Sequence, residues 1–185
     1  GTGGLAVGPD VPIRSTKWGG TGIKSALRHH PDDFPQRLET GTPNILGISG
    51  LNAGVKWVLE QGIENIHKQE MKLIAQLVDG IKNLEGLTLH CPGTGHDHLP
   101  VISITVENIT PQELTTRLDV DSNVTCRSGL QCAPYLHDRI GTSPNGTLRF
   151  GVGPFNTSEH IDSAITALTN IIEEAHQRAA GAGSA

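Results

Sequence analysis

Val101-Ile102-Ser103-Ile104-Thr105-Val106, followed shortly by Thr110-Pro111-Gln112-Glu113, decides the fold class. In the first stretch Ile102, Ile104 and Val106 alternate with Ser103 and Thr105. That period of two belongs to a strand with one face on a core. The second stretch is a capping box with proline at the first helical position, so a short helix follows through Leu114 and Leu118. Upstream the period is different. Ile45, Ile48, Leu51, Val55, Val58 and Leu59 recur every three or four residues, which predicts an amphipathic helix packed on a core. Gly41-Thr42-Pro43 starts it, with Thr42 as N-cap and Pro43 at N1, and Gly62 ends it. A second helix is expected from Ile63 to Leu84, with Ile66, Leu73, Ile74, Leu77, Val78 and Ile81 on one face and Gly86 beyond its end.

Strand patterns also appear at Leu87-Thr88-Leu89-His90, at Asn123-Val124-Thr125-Cys126-Arg127 and from Thr147 to Val152. A last helix begins at Thr157 or Ser158 and carries Ile161, Ile165, Leu168, Ile171 and Ile172 to Arg178. Ala179 to Ala185, all Gly, Ala and Ser, reads as a disordered tail. The chain is therefore α/β, with helices first and then a compact module of small antiparallel sheet and packed final helix. At the other end, Gly1-Thr2-Gly3-Gly4 leads into Leu5-Ala6-Val7 and then Gly8-Pro9-Asp10: a turn, a brief buried strand and a second turn. A glycine-rich turn feeding a core strand suggests a fragment whose upstream portion lies elsewhere. Pro12 to Gln36 reads as a long loop, of a length that is usually functional.

Composition removes several classes. In 185 residues, 14 Lys and Arg against 19 Asp and Glu give a net charge of −5, which argues against a nucleic-acid footprint. No apolar run is long enough for a membrane-spanning helix. The opening residues lack a basic n-region, so no signal peptide is read and a cytoplasmic location is expected. The odd count of three cysteines, Cys91, Cys126 and Cys132, favours reduced thiols.

Candidate chemistry concentrates between the last two strand patterns, in Arg127-Ser128-Gly129-Leu130-Gln131-Cys132-Ala133-Pro134-Tyr135-Leu136-His137. Cys132 in a glycine-bearing loop near Arg127 and His137 reads either as a reactive thiol or as a small buried hydrophobe. Arg149, set mid-strand between Leu148 and Phe150, must find an anion: a structural carboxylate or a substrate carboxylate held bidentately. His90-Cys91 with His96 and His98 forms a metal-like string around Pro92-Gly93-Thr94-Gly95; its spacing ties to no ligand geometry, so it reads as a solvated turn and no metal site is assigned. Gly1-Thr2-Gly3-Gly4 and Gly19-Gly20-Thr21-Gly22 lack the context of a phosphate loop. Gly41-Thr42-Pro43 suits a phosphate better, because free N–H groups and the helix dipole favour an anion there.

Taken in order, Gly1-Thr2-Gly3-Gly4-Leu5, Gly19-Gly20-Thr21-Gly22, Arg37-Leu38-Glu39-Thr40-Gly41-Thr42-Pro43-Asn44, Arg127 to Pro134, and Arg149-Phe150-Gly151-Val152-Gly153-Pro154-Phe155-Asn156-Thr157 resemble the C-terminal half of a class V aminotransferase. The similarity is to the cysteine desulfurase and selenocysteine lyase group and runs from Gly1 to Ala175. It implies a fold-type I enzyme that uses pyridoxal phosphate (PLP) and works as a homodimer. Residues 1–62 would be the end of the large PLP-binding domain, 63–178 a linking helix and small C-terminal domain, and 179–185 a flexible tail.

By the same resemblance, Cys132 matches the nucleophile that takes sulfur from the substrate as a persulfide. Arg149 matches the arginine that holds the substrate carboxylate, and Arg127 a second arginine at the mouth of the site. Thr42, with Gly41, matches the residue that reaches across the dimer to the partner's PLP phosphate. In the family the PLP lysine lies just upstream of the Gly-Thr-Gly-Gly turn, a position that Lys17 and Lys24 do not match. The chain alone is therefore expected to be inactive. The family often has Ser two residues after the arginine, where this chain has Gly151. The implied substrate is L-cysteine, with release of alanine and a sulfur-acceptor protein as possible partner. The alternatives are selenocysteine lyase, another β-lyase, or an inactive fragment.

Overall fold

Ile102, Ile104 and Val106 are buried while Ser103 and Thr105 between them are half-exposed, so the strand alternation is realised residue by residue. The computed structural model describes residues 1–90 and 98–182. It divides into two units, Gly1–Gly62 and Ile63–Ala185.

The second unit contains the sheet. After helix α2 (Ile63–Ile81) come β1 (Leu87–Leu89), β2 (Val101–Val106), α3 (Pro111–Ser122), β3 (Arg127–Gly129), α4 (Pro134–Ile140), β4 (Thr147–Gly151) and α5 (Ser158–Ala182). All strand pairs are antiparallel, in the order β1-β2-β4-β3. Leu87 and Leu89 of β1, the three buried residues of β2, and Leu148 and Phe150 of β4 share one face. Against that face pack Leu73, Ile74, Leu77 and Ile81 of α2, Leu114 and Leu118 of α3, and Ile161, Leu168, Ile171 and Ile172 of α5. Leu168 is fully buried in this layer. Leu168→Ala is expected to cost about 2–5 kcal/mol of stability, read as a lower denaturant midpoint with an unchanged slope.

Thr110 caps α3 as the sequence predicts: its hydroxyl accepts the Glu113 N–H at 3.2 Å, with Pro111 at the start of the helix. Other boundaries move for local reasons. Asn123 ends α3 in the left-handed conformation, φ 54°, and the Val124 N–H donates to the Leu118 carbonyl. That wrap displaces the strand expected at Asn123 to Arg127, and pairing begins only at Arg127. Helix α2 stops at Ile81, three residues before Leu84, because the chain turns there and the Leu84 N–H donates to the Ile81 carbonyl. Helix α5 runs on to Ala182, into the stretch read as a tail; residues 183–185 lie outside the described residues. Helix α4 has no counterpart in the sequence reading, since seven residues carry no apolar stripe.

In the first unit a short 3₁₀ turn (Gln36–Leu38) precedes helix α1 (Ile45–Gln61). The apolar stripe of α1 is present but buries none of its residues, contrary to the expected packing on a core. Among the described residues of this unit only Pro31 is buried, so the unit supplies no apolar layer for the stripe to meet. Leu5-Ala6-Val7 is not a strand either, and Leu5 is exposed. Among the described residues no helix is long and apolar enough to cross a membrane.

Candidate functional site

The antiparallel register sets Arg127 of β3 directly opposite Arg149 of β4, and Ser103 of β2 opposite Arg149 on its other side. Residues opposed in this way project from the same face of the sheet. Alternation with buried Leu148 and Phe150 places Arg149 on the face away from the core. Arg149 is half-buried and Arg127 exposed. Like charges directly across a ladder repel, and a guanidinium taken partly out of water needs an anion. Among the described residues no carboxylate forms an ion pair with either arginine. Of the two partners open to Arg149 from sequence, the structural carboxylate is thus not found among those residues. The two guanidiniums are planar donors, of a geometry suited to two-point contact with a carboxylate.

Cys132 lies just beyond the end of this ladder, in the turn between Gly129 and α4, and is exposed. Of the two readings of Cys132, the buried hydrophobe is therefore wrong for this residue. It is right for Cys126, which is half-buried against the core. Burial pushes the Cys126 thiol up, a hydrogen bond with Thr115 works the other way, and the Asp119 carboxylate adds to the rise. A thiol kept protonated is a poor nucleophile, whereas Cys132 is open to reagents and partners.

His137, which had no role in sequence, is buried, with Nδ1 2.7 Å from the Thr142 hydroxyl. His90 sits near it, with Nε2 2.8 Å from the Thr105 hydroxyl. Burial holds the His90 ring below its usual pKa, and the neighbouring His137 adds to that effect. Of the metal-like string, the His98 ring meets the Leu99 carbonyl, while Cys91 and His96 lie outside the described residues. Among the described residues no group of three metal-ligating side chains converges.

In the first unit the helix cap is Asn44, not Thr42. Its side-chain oxygen accepts the Gly47 N–H at 3.0 Å, while the Ile45 N–H is taken by the Pro43 carbonyl. Thr42 is exposed two residues before the cap. Gly41 has φ 85° and donates its N–H to the Gly20 carbonyl, so its amide is already occupied and its part is conformational. A Cβ on Gly22 would fall 2.8 Å from Thr42 Cα and 3.1 Å from Thr42 Oγ1. The close approach of these backbones fixes Thr42, and among the described residues its hydroxyl has no hydrogen bond. Of the N–H groups expected to favour an anion here, those of Gly41, Ile45 and Gly47 are already taken, so what this position offers a phosphate is the exposed Thr42 hydroxyl. Lys24, by contrast, pairs with Asp33 at 3.7 Å.

The second unit is thus an antiparallel sheet with helices on one face and the arginine pair on the other, with exposed Cys132 beyond the end of β3; in the first unit an exposed threonine precedes a helix. The chain belongs to the aminotransferase class-V family, whose sequence model matches residues 1–163. It is 36% identical over 137 residues to a probable cysteine desulfurase of Xylella fastidiosa, covering 74% of this chain and 32% of that protein. To a probable cysteine desulfurase of Pyrococcus abyssi it is 33% identical over 139 residues, 75% of this chain and 34% of that one. Among solved structures, the apo cysteine desulfurase of Thermococcus onnurineus superposes with a TM-score of 0.70 at 31% identity, over 76% of this chain and 34% of that one. The fold is thus the expected α/β fold of fold-type I. The chain spans about a third of the length of the curated relatives it matches.

Proposed function

We propose that this chain is part of a PLP-dependent cysteine desulfurase, in which it supplies the substrate-carboxylate contacts and the sulfur-accepting nucleophile. The observation that carries the reading is the opposed pair Arg127 and Arg149, left without a carboxylate among the described residues. Arg149 receives the α-carboxylate of L-cysteine, and Arg127 contributes the second positive charge. Binding by that end leaves the thiol of the substrate free to meet Cys132. When bound, PLP withdraws electrons from the substrate's Cα. Thr42 would hold its phosphate, in a homodimer located in the cytoplasm.

The step at Cys132 balances without a further oxidant. Cys132 Sγ forms a bond to the substrate sulfur as the substrate's Cβ–S bond breaks. The electron pair of the broken bond stays with the carbon that becomes the methyl group of alanine. Cysteine and the Cys132 thiol thereby yield alanine and a Cys132 persulfide. Exposure of Cys132 lets a sulfur-acceptor protein reach the persulfide.

The test is alanine release by the full-length protein supplied with PLP and either L-cysteine or L-selenocysteine. Faster turnover of cysteine is expected. A clear preference for selenocysteine would turn the reading toward a selenocysteine lyase. With full-length protein, no alanine from either substrate would overturn it.

A further inference from the structure

Gln131 and Cys132 are consecutive residues with positive φ, 51° and 63°. Side chains with a Cβ seldom adopt this conformation, and two in succession persist only when their surroundings hold them there. The surroundings here are specific. The Gln131 carboxamide nitrogen donates to two backbone carbonyls, of Arg127 at 3.3 Å and Thr147 at 3.2 Å. Those carbonyls belong to β3 and β4, the strands that carry the arginine pair. Both acceptors are carbonyl oxygens, so only the NH₂ end of the amide can serve.

On the other side of Cys132, a chain of bonds braces the turn. The Ala133 N–H donates to the Leu130 carbonyl at 2.9 Å, and the His137 N–H donates to the Ala133 carbonyl at 3.2 Å. The His137 ring holds Thr142, and the Gly146 N–H donates to the Thr142 carbonyl at 2.7 Å. Gly146 then lies so close to β3 that a Cβ on it would fall 2.1 Å from the carbonyl carbon of Gly129. The Cys132 turn is thus tied at both ends to the ladder that carries Arg127 and Arg149.

We propose that Gln131 is a positioning residue, which fixes the Cys132 sulfur relative to the arginine pair through its bonds to the Arg127 and Thr147 carbonyls. The proposal rests on the reading of Cys132 as the sulfur-accepting nucleophile. A displaced nucleophile slows the transfer step and leaves substrate binding alone, because the ladder pairing of β3 with β4 still holds the two arginine side chains in register.

The experiment uses the full-length enzyme with PLP and compares wild type, Gln131→Glu, Gln131→Met and Cys132→Ser. Glutamate keeps the size of the side chain and loses the donor, and methionine does the same without charge if the glutamate variant does not fold. Two readouts are taken: kcat and KM for alanine release, and amide hydrogen exchange over residues 130–137. Expected is a fall in kcat of about 10- to 100-fold with KM within about twofold, and faster exchange at the turn. Wild-type kcat in a folded variant, with Cys132→Ser inactive, overturns the positioning role alone. Full sulfur transfer by Cys132→Ser overturns the reading of Cys132, and the positioning role with it.

Discussion

Cys132→Ser is expected to lower sulfur transfer from L-cysteine by about 10³-fold or more in the full-length protein, since removal of a nucleophile that acts in the reaction costs on that scale. Serine fits the space but cannot do the chemistry. Its hydroxyl is a weak nucleophile without an activating base, and no sulfur–sulfur bond can form at oxygen. Stability should stay within about 0.5 kcal/mol, because Cys132 is exposed. Cys126→Ser is the contrasting substitution. Its effect should fall on stability, since Cys126 packs against the core, and not on sulfur transfer. Alanine release and thermal unfolding of both variants check the pair of outcomes.

Arg149→Ala carries the second large effect. Loss of hydrogen bonds to a charged carboxylate is worth about 1.5–3 kcal/mol, so kcat/KM for cysteine should fall about 10- to 150-fold. Arg149→Lys should recover little of this, because an ammonium cannot reproduce the planar two-point contact. The stability of the same variant separates a substrate site from a structural ion pair. A structural pair broken at one end destabilises by leaving an unpaired charge, whereas Arg149→Ala should leave the melting temperature unchanged or raise it by relieving repulsion from Arg127. A marked loss of stability with normal kcat/KM would mean that the arginine serves the fold.

How much of this was legible in the sequence differs from element to element. Ile102, Ile104 and Val106 announce β2 and the sheet face because alternation is a local property of the chain. Thr110-Pro111-Gln112-Glu113 announces α3 for the same reason, since the cap and its N–H lie three residues apart. What failed depended on partners that local pattern does not contain. The stripe of α1 promises burial, yet burial requires an apolar layer that the first unit does not supply. Thr42 and Asn44 are both good caps on either side of a proline, and only the backbone path shows that Asn44 takes the Gly47 N–H.

The candidate site was legible as residue types and not as geometry. Cys132, Arg127 and Arg149 could be singled out by residue type and by their place in a family pattern. That the two arginines oppose one another follows from strand register, which the displaced start of β3 conceals. The bonds from Gln131 to the Arg127 and Thr147 carbonyls are of the same kind, because nothing in a glutamine beside a cysteine indicates them. Two successive left-handed residues without glycine were equally hidden.

The most direct test of the account is the location of transferred sulfur. Full-length protein with PLP is given L-cysteine, trapped with an alkylating reagent without reductant, and mapped by peptide mass spectrometry. The account predicts one additional sulfur atom on the peptide containing Cys132, formed together with alanine. Additional sulfur on Cys126 or Cys91 instead, or alanine release with Cys132 unmodified at every time point, would contradict it.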